Sequence, residues 1–303
     1  MMRALAFALL LPVAAFAQTP AGDYAAACRA EVGALPAFSC ADGVPVPITV
    51  NGRTPAVYLP GMTCDRPALL PNGPGSDGQC VPHSRILDLS TDRLQVSVMC
   101  RRKLIRDADS PLFDEVDVIA HNPSTGATCW FMARGVVDGG RLPAPTDGPQ
   151  GVWSPPEDVL AEGCGTCHDN DPFMFSPFVG QVWGQVPVNP FGLYRHVDAG
   201  IGFDQWPTTA IAPRDSTCTG CHRIGVARTC DTLTPLMTGQ TAPDGADPLA
   251  LVWPLDHAMP PDHGLTRRAW SVIHGASVDR VLDCCADPAH PRCNATPIPG
   301  ARP

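Results

Sequence analysis

Fourteen of the 303 residues are cysteine, and each must be bonded or sheltered before a backbone this rich in turns can hold one shape. Four of them sort at once, because Cys164-Gly165-Thr166-Cys167-His168 and Cys218-Thr219-Gly220-Cys221-His222 repeat the spacing C-x-x-C-H. At that spacing two thiols add across the vinyl groups of a haem as thioethers, and the adjacent histidine is tethered where it can ligate the iron. A zinc site or a thioredoxin-like pair also uses C-x-x-C, but neither asks for a histidine after both pairs. The redox pair also wants a βαβ setting that these proline-broken flanks do not offer. The expectation is two covalent haem c groups attached at Cys164, Cys167, Cys218 and Cys221, with His168 and His222 as proximal iron ligands.

The other ten cysteines, at 28, 40, 64, 80, 100, 129, 230, 284, 285 and 293, form an even set that reads as up to five disulfides. Pairing neighbours joins Cys28 with Cys40, Cys64 with Cys80, Cys100 with Cys129, and Cys230 and Cys293 with Cys284 and Cys285. Bridges persist in an oxidising compartment. The first 17 residues have the anatomy of a secretory signal, with Arg3, an apolar stretch over 4–13 and the small-x-small site Ala15-Phe16-Ala17. Cleavage before Gln18 leaves 286 residues with a formal charge of −10, expected in the periplasm or outside the cell. No later apolar run reaches the roughly 18 residues a membrane span needs. An acidic chain whose single lysine is Lys103 is a poor match for nucleic acid. Its charge, deepened by haem propionates, points to redox protein partners with basic docking faces.

Proline (35) and glycine (28) interrupt regular structure often enough that much ordered loop is expected. Residues 18–140 hold six of the ten spare cysteines and the best strand signals, over 93–100 and 114–133, with turn chemistry at 122–126. Residues 141–156 carry five prolines and read as a linker, and residues 157–303 as the haem-bearing part. There, Ser154-Pro155-Pro156 starts a short helix stopped by Gly163. The longest helix opens at Thr266 and runs through Leu282, with Trp270, His274, Val278 and Val281 on one face. Eight aromatics between the motifs, Phe173, Phe175, Phe178, Trp183, Phe191, Tyr194, Phe203 and Trp206, serve as a haem wall or as ordinary core. Asp169, Asp171 and Asp204 sit near the motifs and read as solvated or capping groups, with tuning of the haem potential by their charge as the alternative, and Gly200-Ile201-Gly202 reads as a turn.

With both motifs in view, residues 157–285 resemble a di-haem c-type cytochrome, and such proteins carry electrons outside the cytoplasmic membrane. Asn122-Pro123-Ser124-Thr125-Gly126-Ala127-Thr128-Cys129, followed by Trp130-Phe131, is similar to a segment of uncharacterised bacterial exported di-haem proteins, and implies no activity. The fold expected is α+β and loop-rich: a disulfide-stapled β-hairpin region, then a compact, mainly helical di-haem cytochrome c module. The 54 residues between Cys164 and Cys218 leave no room for one complete helical domain per haem, so the two haems are expected to share a wall.

The second axial ligand separates a carrier from a catalyst, since methionine or histidine closes the iron and a vacancy opens it. Met259 in Met259-Pro260-Pro261 resembles the methionine–proline segment that ligates haem in many cytochromes c, and is the first candidate for the second haem. His263 follows, then His257 and His274. His196 and His121 are the candidates for the first haem, with Met174 behind them. The expected function is an exported di-haem c-type cytochrome passing single electrons between redox partners. The alternatives are a di-haem peroxidase-like enzyme with one open iron, against which the short spacing counts, and a binding or sensing role for the cysteine-rich part.

Overall fold

The computed structural model describes residues 20–70, 72–148, 151–242, 246–255 and 257–300, so the leader expected over residues 1–17 lies outside the described residues. Five strands pair antiparallel, each with the next: β1 (Val44–Pro45), β2 (Arg85–Asp88), β3 (Gln95–Arg101), β4 (Leu112–His121) and β5 (Ala127–Asp138). A sixth, β6 (Arg195–His196), joins β5 in parallel from far along the chain. The β4–β5 hairpin turns over Asn122, whose side chain accepts the Ser124 amide at 3.0 Å. Gly126 sits at φ +76°, and a Cβ there would lie 2.7 Å from the backbone of Tyr194, so the turn requires glycine twice over.

Side chains alternate across these strands and give the sheet two different faces. Val96, Val98, Cys100, Val116, Val118 and Ala120 point to one side, all buried. Helix α1 (Pro20–Val32) covers that side with Tyr24, Cys28 and Val32, a stripe of period four. The Tyr24 hydroxyl accepts the Trp130 amide at 2.9 Å, satisfying the β5 edge beyond the short β6. The opposite side carries Ser97, Met99, Arg101, Glu115, Asp117 and Ile119, and forms the floor of a cavity.

After the first sheet the chain forms α2 (Pro156–Glu162), α3 (Cys164–Cys167), α4 (Pro177–Gly180) and α5 (Thr234–Met237), then the 20-residue α6 (Arg267–Ala286). A small second sheet, in the order β8 (Ile224–Gly225), β7 (Thr209–Ile211), β9 (Thr296–Pro297), packs beside α6. This corrects the expectation of a compact, mainly helical module: the fold is sheet-rich, with a six-stranded and a three-stranded sheet. Proline and glycine limit the helices between residues 156 and 237 to four to seven residues. The expected helix from Thr266 does form, capped by the Thr266 hydroxyl and burying Trp270, Val278 and Val281. The later segment also completes the first core, where Tyr194, Phe203, Trp206 and Ile298 pack with the strands and α1.

Five disulfides are present among the described residues. Cys64–Cys80 pairs as neighbours, and Cys230–Cys285 and Cys284–Cys293 fall within the expected set. The remaining four exchange partners, giving Cys28–Cys129 and Cys40–Cys100. The register explains why. On β4, Cys100 pairs with Val116 and Cys129 with Ala120, so the two cysteines are two strands apart and offset by four residues, roughly 13 Å along the strand. That exceeds the Cα separation of about 7 Å that a bridge can span. Among the described residues no helix is long and apolar enough to cross a membrane.

Candidate functional site

The first C-x-x-C-H motif lies on the wall of a cavity of about 1080 Å³, lined by Cys164, Cys167 and His168. That volume lies just above the roughly 300–1,000 Å³ range of ligand and cofactor pockets. Gly163 ends α2 in the left-handed region at φ +74° and turns the chain directly into α3, which carries both thiols. Gly165 is required between them, because a Cβ would lie 2.2 Å from the Trp206 ring. Burial pushes both thiols above their ordinary range, so they stay protonated.

His168 donates its Nδ1 proton to the Pro172 carbonyl at 2.8 Å, which leaves the Nε2 lone pair free. Burial holds its pKa down to about 4, so the ring is neutral at physiological pH. Such a bond at the far nitrogen is what fixes the tautomer and aim of an iron-ligating imidazole. The Tyr194 hydroxyl holds the His168 carbonyl at 2.5 Å, and the Trp130 ring meets the imidazole edge-on at 5.1 Å. Phe173, Met174, Phe175 and Met237 also line the cavity, and five of the eight methionines in the chain do so altogether. The motif residues therefore fit a covalently held haem: two thiols on one turn, one available imidazole nitrogen and a cavity with Phe173, Phe175 and several methionines on its wall.

The floor is charged. Glu115 bonds Arg101 at 3.2 Å and Lys103 at 2.6 Å. Burial raises the Glu115 pKa, but the two cations outweigh it and hold the carboxyl below its ordinary value. Asp117, one pleat further on, is held well above its ordinary value by burial and then by the charge of Glu115. It therefore takes up a proton on folding, and the stability tied to that proton falls as pH rises above the unfolded value of about 3.9. Asp117→Asn should remove this dependence. Urea unfolding of variant and parent should coincide near pH 4 and diverge upward, the parent losing at most about 1.4 kcal/mol per pH unit relative to the variant. Parallel stability profiles would show that Asp117 is ionised in the fold.

The second motif is more open. Cys218 and His222 are half-buried and Cys221 is exposed. His222 donates Nδ1–H to the Arg223 carbonyl at 2.9 Å, again leaving Nε2 free. The motif is tied to α6, where the Ser277 carbonyl accepts the Ser216 hydroxyl at 3.1 Å and Ser277 Oγ accepts the Thr217 amide at 3.3 Å. Ile273 and His274 lie one turn before Ser277 on the same stripe. Ile273 is 60% exposed.

The expected distal ligands are scattered. His121 is fully buried, and its Nδ1–H points at Thr128 Oγ1 at 2.9 Å, because the Thr128 hydroxyl proton is spent on the Gly126 carbonyl. Its Nε2 has no hydrogen-bond partner, but it does not line the cavity. His196 accepts the Trp130 indole N–H on Nδ1 at 3.1 Å, which places its own proton on Nε2 and sets it behind the cavity wall. Met174 does line the cavity. Met259 is half-buried, with its amide bonded to the Met237 carbonyl at 2.9 Å, and His263 is exposed on a loop at φ +48°. His257 is buried.

Sequence reasoning missed Arg101, Glu115, Asp117 and Met237. The alternating charges of Asp114-Glu115-Val116-Asp117-Val118 were the available signal, since alternation marks a strand with one polar face. It also misread Asp169 and Asp171, which are buried rather than solvated. Burial pushes Asp169 up to about 6, and Asp171 up to about 7 against the pull of Arg223.

Comparison with family models, with curated proteins and with solved structures returns no match. The resemblance to the di-haem c-type cytochromes is corrected accordingly: no family model matches, and the motifs stand in a sheet-rich, disulfide-stapled fold rather than a helical cytochrome c module. Among the described residues no group of three or more His, Cys, Asp or Glu comes together that could hold a metal ion.

Proposed function

We propose that this chain is an exported electron carrier that holds one haem covalently at each C-x-x-C-H motif and exchanges single electrons with redox proteins. The observation that carries the reading is the cavity on whose wall Cys164, Cys167 and His168 converge, with His168 Nε2 left free by its Nδ1 bond. A haem bound there supplies a reversible one-electron ferric/ferrous couple. The chain's own part is to bond the group through its thiols, aim the imidazole, and shield one face with Trp130 and the apolar lining. His222 would aim a second group in the same way, with less shelter, since Cys221 is exposed. The five bridges suit a periplasmic or secreted setting, and the acidic net charge of −9 suits partners with basic docking faces.

The Asp117 carboxyl, which lines the cavity and whose pKa burial holds well above its ordinary value, favours a second reading, a peroxidase-like enzyme with one open iron, because such a site needs a proton donor. One experiment separates the readings. The chain is exported in a host equipped for haem attachment, then weighed and examined by spectroscopy. A mass increased by two haems, with low-spin spectra indifferent to cyanide and carbon monoxide, is the result expected of a carrier. A high-spin ferric haem that reacts with peroxide supports the enzyme, and a colourless protein of unmodified mass overturns both.

A further inference from the structure

The three residues after His168 all reach the segment that follows His222. Asp169 accepts the Ala227 amide at 2.6 Å and the Thr229 hydroxyl, and Asp171 pairs with Arg223 at 2.6 Å. Asn170 donates its side-chain amide to the Arg223 carbonyl at 2.8 Å, and that same carbonyl accepts Nδ1–H of His222 at 2.9 Å. One oxygen, with two lone pairs, thus takes one donor from the neighbourhood of each motif. The approach is built into the backbone, since a Cβ on Gly225 would lie 2.1 Å from the Asp169 carboxylate. Asn170 is 8% exposed and its Oδ1 has no hydrogen-bond partner, so the bond to Arg223 is what its amide contributes.

We propose that the Arg223 carbonyl, shared by Asn170 and His222, couples the two haem centres, with Asn170 as the positioning residue; this rests on the haem reading above. A bond from Nδ1 to an acceptor raises the basicity of a ligating imidazole and fixes its orientation. An acceptor that also serves a second donor pulls less on the first, so Asn170 tempers His222. The same contact closes a route from His168 through residues 169 and 170 to the His222 ring, across two hydrogen bonds that meet at one oxygen. Were haem held at both motifs, this route would let one electron pass between them, the donor iron going from ferrous to ferric as the acceptor goes from ferric to ferrous. No bond breaks and no proton moves.

The test uses the full, haem-loaded protein, with haem content measured first by mass and spectrum. In Asn170→Ala both haems should remain. The potential of the second centre should fall, because a more basic imidazole stabilises ferric iron, while that of the first should stay. Exchange between the centres after flash reduction should slow about tenfold. Asn170→Asp, nearly equal in size but without the amide donor, carries the rate measurement should N170A fail to fold. Asn170→Gln keeps the donor and should recover part of both effects. A two-haem variant with the parent's exchange rate and second potential overturns the coupling, as does equal loss in N170Q and N170A; a parent without haem overturns the functional reading instead.

Discussion

A C28A/C129A double variant should lose roughly 4–5 kcal/mol of stability, because its bridge closes a loop of 101 residues and constrains the unfolded chain accordingly. The same removal at Cys284–Cys293, where nine residues separate the partners, should cost only about 2–3 kcal/mol. Native-state packing works in the same direction, since both Cys28 and Cys129 are fully buried where α1 meets the sheet. Guanidinium unfolding of the two double variants, compared at equal haem content, checks the ordering. Equal losses would mean that the unfolded chain keeps α1 near β5 without the covalent tie.

Gly165→Ala should be the second costly change, at about 1–3 kcal/mol. The added methyl would stand 2.2 Å from the Trp206 ring, which cannot yield freely because it packs on Phe203 at 4.6 Å, His196 at 5.1 Å and Trp130 at 5.9 Å. Moving it would also move Trp130, which contacts His168, so on the proposed function the absorption of a haem held at the first motif should change along with stability. Gly220 occupies a variable position in the second motif, and a methyl added there would meet nothing within 4 Å. Gly220→Ala should therefore stay within about 0.5 kcal/mol of the parent. Thermal denaturation of the pair, read by haem absorbance and by circular dichroism, distinguishes a packing requirement from a general intolerance of the motif.

The parts of the structure that could be read from residues alone are the locally encoded ones. The alternation within 114–133 and the turn at Asn122–Gly126 yield the β4–β5 hairpin, Thr266 caps α6, Gly163 stops α2, and Cys64 finds Cys80 sixteen residues away. Non-local pairings were out of reach. Two-residue strands such as β6 and β9 have no propensity of their own and exist because Ala127 and Thr209 present an edge to them. The exchanged bridges follow from the register of β3, β4 and β5, which neighbour pairing does not contain. At the site, the two C-x-x-C-H motifs were legible as local patterns, whereas the need for glycine at 165 was not, because it comes from the distant Trp206 ring. The cavity floor was not, because Glu115 and Asp117 meet Cys164 only through the tertiary fold.

Ile298 is buried in the same core as Tyr24, and its amide bonds the Thr208 carbonyl at 2.8 Å. Synthesis proceeds from the amino end, so this wall of the protein stays unfinished until the segment around Ile298 arrives. A truncation just before Ile298 would therefore leave the molecule permanently ajar.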